Sequence, residues 1–160
     1  MLVGDCTELP RLRALSRSLG VTSHVEFTGR IPDEQLWEVL GTADVCVNPD
    51  RANEMNDKST MNKILEYMAL AKPIVQFDLT EGRFSAQDAS LYARHNDPVD
   101  MAEKVLALLD DEPQRRRMGE LGRTRVANEL SWDHEVPNLL AAYDAVFGAM
   151  TRDAAASEPV

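Results

Sequence analysis

The sequence predicts an α/β fold, a parallel sheet flanked by helices, and three observations carry that prediction. Short apolar runs recur at 25–28, 45–47, 74–77 and 91–93. Amphipathic stretches long enough for helices separate them, and Gly or Pro stands near most junctions. Strands alternating with helices are the pattern of βα units, whose crossover connections make neighbouring strands run parallel.

Taken in order, Leu2-Val3 reads as the end of a strand, followed by the turn Gly4-Asp5. Leu9, Leu12, Leu15 and Leu19 recur at helical spacing with Arg11, Arg13 and Arg17 between them, and Gly20 stops that helix. The run Val25-Glu26-Phe27-Thr28 is a strand that enters the turn Gly29-Arg30-Ile31-Pro32, and Asp33 caps a helix to about Leu40. Val45-Cys46-Val47 is apolar throughout, as a strand covered on both faces must be. A polar loop over 48–57 leads to a helix carrying Glu66, which must stop near Ala71 because Pro73 cannot continue it. Ile74-Val75-Gln76-Phe77 is the central strand, 78–85 a loop, 86–89 a short helix and Leu91-Tyr92-Ala93 the last strand. The rest is helical: 98–109, a second helix after Pro113, and a third from near Asp133 to about Phe147. Residues 1–147 thus read as one domain, and the Ala, Ser, Glu and Pro of 148–160 as a flexible tail. Leu2-Val3 is short for a strand inside a doubly wound sheet, so the chain reads as truncated at its N-terminus with about five strands remaining.

Composition narrows the classes of function. With 160 residues and 44% hydrophobic content the chain can bury a core, and it has no apolar run long enough to span a bilayer. A net charge of −10 opposes nucleic acid as the main ligand, since a phosphate backbone calls for clustered, unscreened cations. Cys6 and Cys46 both adjoin apolar strand-like runs and no export leader precedes them, which points to reduced thiols and a cytoplasmic location. His24, His95 and His134 lack partners at metal or triad spacing, so no metal site is expected.

The segment from Asn56 to Val75 carries the chemistry. A polar loop, an acid-bearing helix and a buried strand follow one another directly. Ser59 and Thr60 are N-cap candidates, and the unpaired N–H groups of the helix they start would face a phosphate. Glu66, further along that helix, is placed to accept hydrogen bonds from the hydroxyls of a ribose or a sugar. The segment therefore suggests a sugar nucleotide.

Five pieces occur in a fixed order: Val3-Gly4-Asp5; Phe27-Thr28-Gly29-Arg30-Ile31-Pro32; Ala43-Asp44-Val45; Leu65-Glu66-Tyr67-Met68-Ala69; and Lys72-Pro73-Ile74-Val75. Together they resemble the C-terminal half of a family-4 glycosyltransferase with the GT-B fold, over roughly residues 2–147. The resemblance implies a Rossmann-like domain that binds a nucleoside-diphosphate sugar, with the acceptor held by an N-terminal domain or partner chain. It implies that Glu66 binds the ribose hydroxyls, as the second glutamate of a Glu-x7-Glu motif. Lys58 stands where the first glutamate is usual and is the candidate catalytic cation, with Asp57 or Glu54 as alternative sugar contacts. Ser59, Thr60 and Met61 occupy the place whose backbone amides meet the distal phosphate. Arg30 and Ile31 match the turn that borders the base, and Gly4 and Asp5 the glycine-rich turn. No cofactor or metal is expected, because protein groups supply the positive charge, although the lysine and arginine that usually do so lie upstream of Met1 in the family pattern. The expected role is in surface polysaccharide or glycoconjugate assembly, with peripheral membrane association open to the full enzyme.

Each residue has a plainer competing reading. Glu66 could be a surface acid paired with Lys63 or Lys72; Ser59 and Thr60 could only cap; Lys58 could be a solvated cation; Arg30 and Asp5 could be turn formers. Asp110, Asp111 and the run Arg115-Arg116-Arg117 read as a solvated face. At the level of function, the alternative is a non-catalytic binding module or split subunit completed by a separate acceptor-domain chain, and a homodimer pairing exposed sheet edges is a further arrangement.

Overall fold

A computed structural model describes the backbone of residues 1–156 and the side chains of residues 1–147. Its contacts gather into two compact units, Met1–Ala43 and the chain from Asp44 onward. In the first unit, β1 (Leu2–Val3) pairs in parallel with β2 (Phe27–Gly29), joined through α1 (Leu9–Ser18) and a 3-10 turn, Thr22–His24. Gly20 takes φ +69°, the left-handed conformation that ends a helix, as its position after the leucine repeat predicts. α2 (Asp33–Thr42) follows, but its N-cap is Pro32 rather than Asp33, and Asp33 sits in the first turn, where its charge suits the helix dipole.

The second unit holds a parallel sheet with strand order β3 (Cys46–Asn48), β4 (Ile74–Phe77), β5 (Ser90–Ala93). Parallel strands flanked by helices are thus as expected, and the five strands fall into two sheets, one in each unit. β4 lies between two neighbours, and all four of its residues are buried. Strand alternation sends Val75 and Phe77 to one face, where they join Leu79, Ala93, Met101, Leu108 and Met118. Ile74 faces the other way, into a cluster with Ile64, Met68, Ala86 and Ala89. The layers are α6 (Pro98–Asp110) on the first face and α4 (Asn62–Ala69) with α5 (Thr80–Ala86) on the second. Burying side chains such as Ile64, Met68 and Ile74, all 1% exposed or less, contributes about 2 kcal/mol each.

α7 (Glu112–Arg125) reaches both clusters. A Cβ built on Gly119 would come within 2.0 Å of the Ala71 carbonyl oxygen, so only glycine lets α7 lie this close to the end of α4. Asp111 accepts a hydrogen bond from Gln114 N and is the N-cap of α7, and Arg115 donates through Nη1 to Leu108 O and Leu109 O at the end of α6. Asp110, Asp111, Arg116 and Arg117 are exposed, as a solvated face requires, and Arg115 departs from that face because it covers backbone carbonyls left free at the end of α6. α8 (Trp132–Ala156) continues past Phe147, where the sequence predicts an end. Residues 157–160, and every side chain from 148 onward, fall outside the described residues, so the expected tail is not placed. No helix is long and apolar enough to cross a membrane, among the described residues.

Candidate functional site

Five of the predicted residues, Lys58, Ser59, Thr60, Met61 and Glu66, follow β3, beyond the C-terminal end of a strand of the second unit's sheet, the usual location of ligands in an open α/β sheet. The segment after β3 is no bare loop. It contains α3 (Glu54–Asp57), capped by Asn53, whose side chain accepts from Asn56 N at 2.9 Å. Side chains from elsewhere fix it along its length. Lys63 ion-pairs with Asp50 at 2.8 Å. Asn96, from the loop after β5, grips the backbone of Ala52 twice, accepting from its N–H at 2.8 Å and donating to its carbonyl at 3.2 Å. Asn96 itself sits at φ +56°, a conformation asparagine tolerates better than most residues. Asn56 Nδ2 donates to Arg51 O at 2.8 Å.

At the far end, Asp57 accepts from Thr80 N at 2.8 Å and from Thr80 Oγ1 at 3.0 Å. The main-chain N–H and then the hydroxyl hold the Asp57 carboxyl below the usual carboxylate range. Thr60 Oγ1 donates to Glu81 Oε2 at 2.9 Å, a second tie to the first turn of α5. Next to Thr80, Asp78 is bound by Arg83, at 2.7 Å from Nε and 2.6 Å from Nη2. That hydrogen bond lowers the Asp78 carboxyl as well, and the guanidinium stacks over the Tyr92 ring 4.1 Å from its centre. His95 contacts the Asp78 carbonyl through its ring nitrogen.

Ser59 and Thr60 are not the caps of the helix. The N-cap of α4 is Met61, without a side-chain cap, because Ser59 Oγ is drawn back to Met55 O and the Thr60 hydroxyl to Glu81. The backbone N–H groups of Thr60, Met61 and Asn62 consequently have no acceptor among the described residues. Glu66 lies one turn beyond Asn62 on the same helix, half-buried, with no hydrogen bond or ion pair to its carboxylate among the described residues. The Lys63 that could have paired with it is taken by Asp50. Lys58, the candidate catalytic cation, ends α3 in an ion pair with Glu54 at 2.9 Å, and both side chains are largely exposed. Glu54 and Asp57 are thus already committed, one to Lys58 and one to Thr80.

In the first unit, the β1–β2 pairing sets the Gly4-Asp5 turn beside the Gly29-Arg30-Ile31 turn. Gly4 N donates to Gly29 O at 2.9 Å, and both glycines take positive φ. Asp5 and Arg30 are exposed, and Ile31 is partly buried.

Residues 1–111 match the family model of the glycosyl transferases group 1. The chain belongs to that family. It is 32% identical to a D-inositol 3-phosphate glycosyltransferase of Thermomonospora curvata over 82% of its own length and 30% of the relative's. A D-inositol 3-phosphate glycosyltransferase of Geodermatophilus obscurus is 31% identical over 97% of the chain and 32% of the relative. A sucrose-phosphate synthase from Thermosynechococcus elongatus superposes with a TM-score of 0.76 at 22% identity, covering 92% of this chain and 38% of that one. The fold is the parallel α/β half of a GT-B enzyme, and the chain spans about a third of the length of the curated relatives it matches.

Several residues that shape the candidate site escape a reading by motif. Asn96, Thr80, Glu81 and Asp50 act across 13 to 44 positions of sequence, so no local pattern marks them. Asn48 and Gln76 are buried register partners on β3 and β4, on the face toward α5, and Asn48 Oδ1 and Gln76 Oε1 have no hydrogen-bond partner among the described residues. For Gln76 a polar residue inside an apolar strand was the only signal, and Asn48 fell in the stretch read as a polar loop. Among the described residues, no three His, Cys, Asp or Glu side chains converge as a metal site would need. Both cysteines are free, Cys6 exposed and Cys46 buried, with the buried thiol pushed up to about 11 by desolvation.

Proposed function

We propose that this chain is the donor-binding half of a glycosyltransferase that takes its sugar from a nucleoside diphosphate. The observation that carries the reading is the head of α4, where the N–H groups of Thr60, Met61 and Asn62 lack acceptors among the described residues and the half-buried Glu66 carboxylate follows on the same helix. Unpaired helix N–H groups and the dipole behind them favour phosphate oxygens, while a free carboxylate accepts from the two hydroxyls of a ribose. The pins along 50–61 support the same reading, since a loop already held in shape costs little to order on binding.

Chemistry at such a site is mostly electrostatic. As the glycosidic bond to the diphosphate breaks, negative charge grows on the leaving group, and fixed N–H dipoles stabilise it without reorganising. Lys58 can leave Glu54, since an exposed pair of this kind is worth little, and add its charge there. No metal is assigned to the reaction. Gly4, Asp5, Arg30 and Ile31 are proposed to border the base in the complete enzyme, and the acceptor is assigned to the part of the relatives' length that this chain does not span. A role in surface glycoconjugate assembly in the cytoplasm fits this chemistry.

Calorimetric titration with UDP, GDP and ADP tests the reading. One of the three should bind, Glu66→Ala should weaken it by at least about tenfold, and the chain alone should transfer no sugar. Equal affinity in wild type and variant would remove Glu66 from the site.

A further inference from the structure

We propose that Glu81, on α5, is a positioning residue for nucleoside diphosphate binding, acting through Thr60. This rests on the reading of residues 58–61 as the diphosphate loop. The loop is tied to the first turn of α5 at two points three residues apart. Asp57 takes the Thr80 N–H and hydroxyl, and Glu81 takes the Thr60 hydroxyl. The chain leaves α3 at Asp57 and enters α4 at Asn62, so Lys58, Ser59, Thr60 and Met61 make the whole turn, and the second tie falls within it.

The Thr60 hydroxyl has a local alternative. A threonine just before a helix ordinarily turns its Oγ1 back to cap the N–H groups of the first turn. The Glu81 carboxylate, 21 residues away, accepts a hydrogen bond from that hydroxyl and holds the side chain turned towards α5 instead. One consequence carries the proposal: the Thr60 backbone, one residue before the N-cap of α4, is fixed in orientation. Glu81 itself is directed at Thr60.

The experiment is a mutant cycle read by calorimetry with UDP, GDP and ADP. Glu81→Ala should weaken the bound nucleotide by about three- to tenfold. Glu81→Gln, which keeps an acceptor oxygen, should recover most of that loss. Thr60→Val should lose about as much as Glu81→Ala, and the double variant should lose no more than either single one. The melting temperature of Glu81→Ala should stay within about 2 °C of wild type, since the contact is exposed. Unchanged affinity in Glu81→Ala, no recovery in Glu81→Gln, or additive losses in the double variant would overturn the inference while leaving the nucleotide reading intact. A wild type that binds none of the three nucleotides would remove that reading and this inference with it.

Discussion

Asp57, Asp78 and Asp100 each answer to a nearby donor, and each carries a pH dependence with the same sign. The Thr80 N–H lowers Asp57, Arg83 lowers Asp78, and the Arg94 N–H followed by Lys104 lowers Asp100. A carboxyl whose pKa is depressed on folding stabilises the protein fully above its unfolded value, near 4, and loses that contribution as pH falls through the folded value. The urea midpoint should therefore hold between about pH 7 and 5 and fall steadily towards pH 3. Asp57→Asn should start from a lower midpoint at neutral pH and fall less. An equal drop in both proteins would show that Asp57 gains nothing from Thr80. At this scale the sequence is readable where a residue acts through its neighbours. Glu66 and Met61 could be placed from the helix that holds them, whereas the fate of the Ser59 and Thr60 hydroxyls depended on Met55 and Glu81, and only the tertiary fold decides such a competition.

At the scale of elements, the strands and the longer helices were legible because their apolar periods are strong. Ile74–Phe77 is a strand, and all four of its residues are buried. The misses are short: α3 and α5, of four and seven residues, fell in stretches predicted as loops. Their sequences are polar and small, and tertiary packing sustains a helix of that length more than propensity does. The closest approach between elements, α7 against the end of α4, gives a sharp expectation. Gly119→Ala should destabilise by about 2–3 kcal/mol, because its Cβ would meet the rigid Ala71 carbonyl and not a movable side chain. Chemical denaturation measures this directly, and a change under 0.5 kcal/mol would mean that the two helices part more easily than their geometry implies.

For the whole molecule, burial is uneven. Among residues 1–43 only Ser16 and Leu40 are buried, whereas all of β4 is. Native-state hydrogen exchange should follow: β1 and β2 should be protected at least about a hundredfold less than β3, β4 and β5. Uniform protection would mean that the chain opens as a single cooperative unit. The family was legible at this scale, since the order of motifs from Val3 to Val75 lies within the stretch that the family model matches.

The double grip of Asn96 on Ala52 spans 44 residues and begins beyond the final strand. During synthesis the ribosome delivers every residue from Asp50 to Glu66 before that asparagine exists. A nascent chain halted short of it holds the ingredients of the proposed nucleotide loop without one of the clasps that give the loop its shape. Ligand binding would then report completed synthesis through β5, which makes it a probe for the order in which this chain assembles.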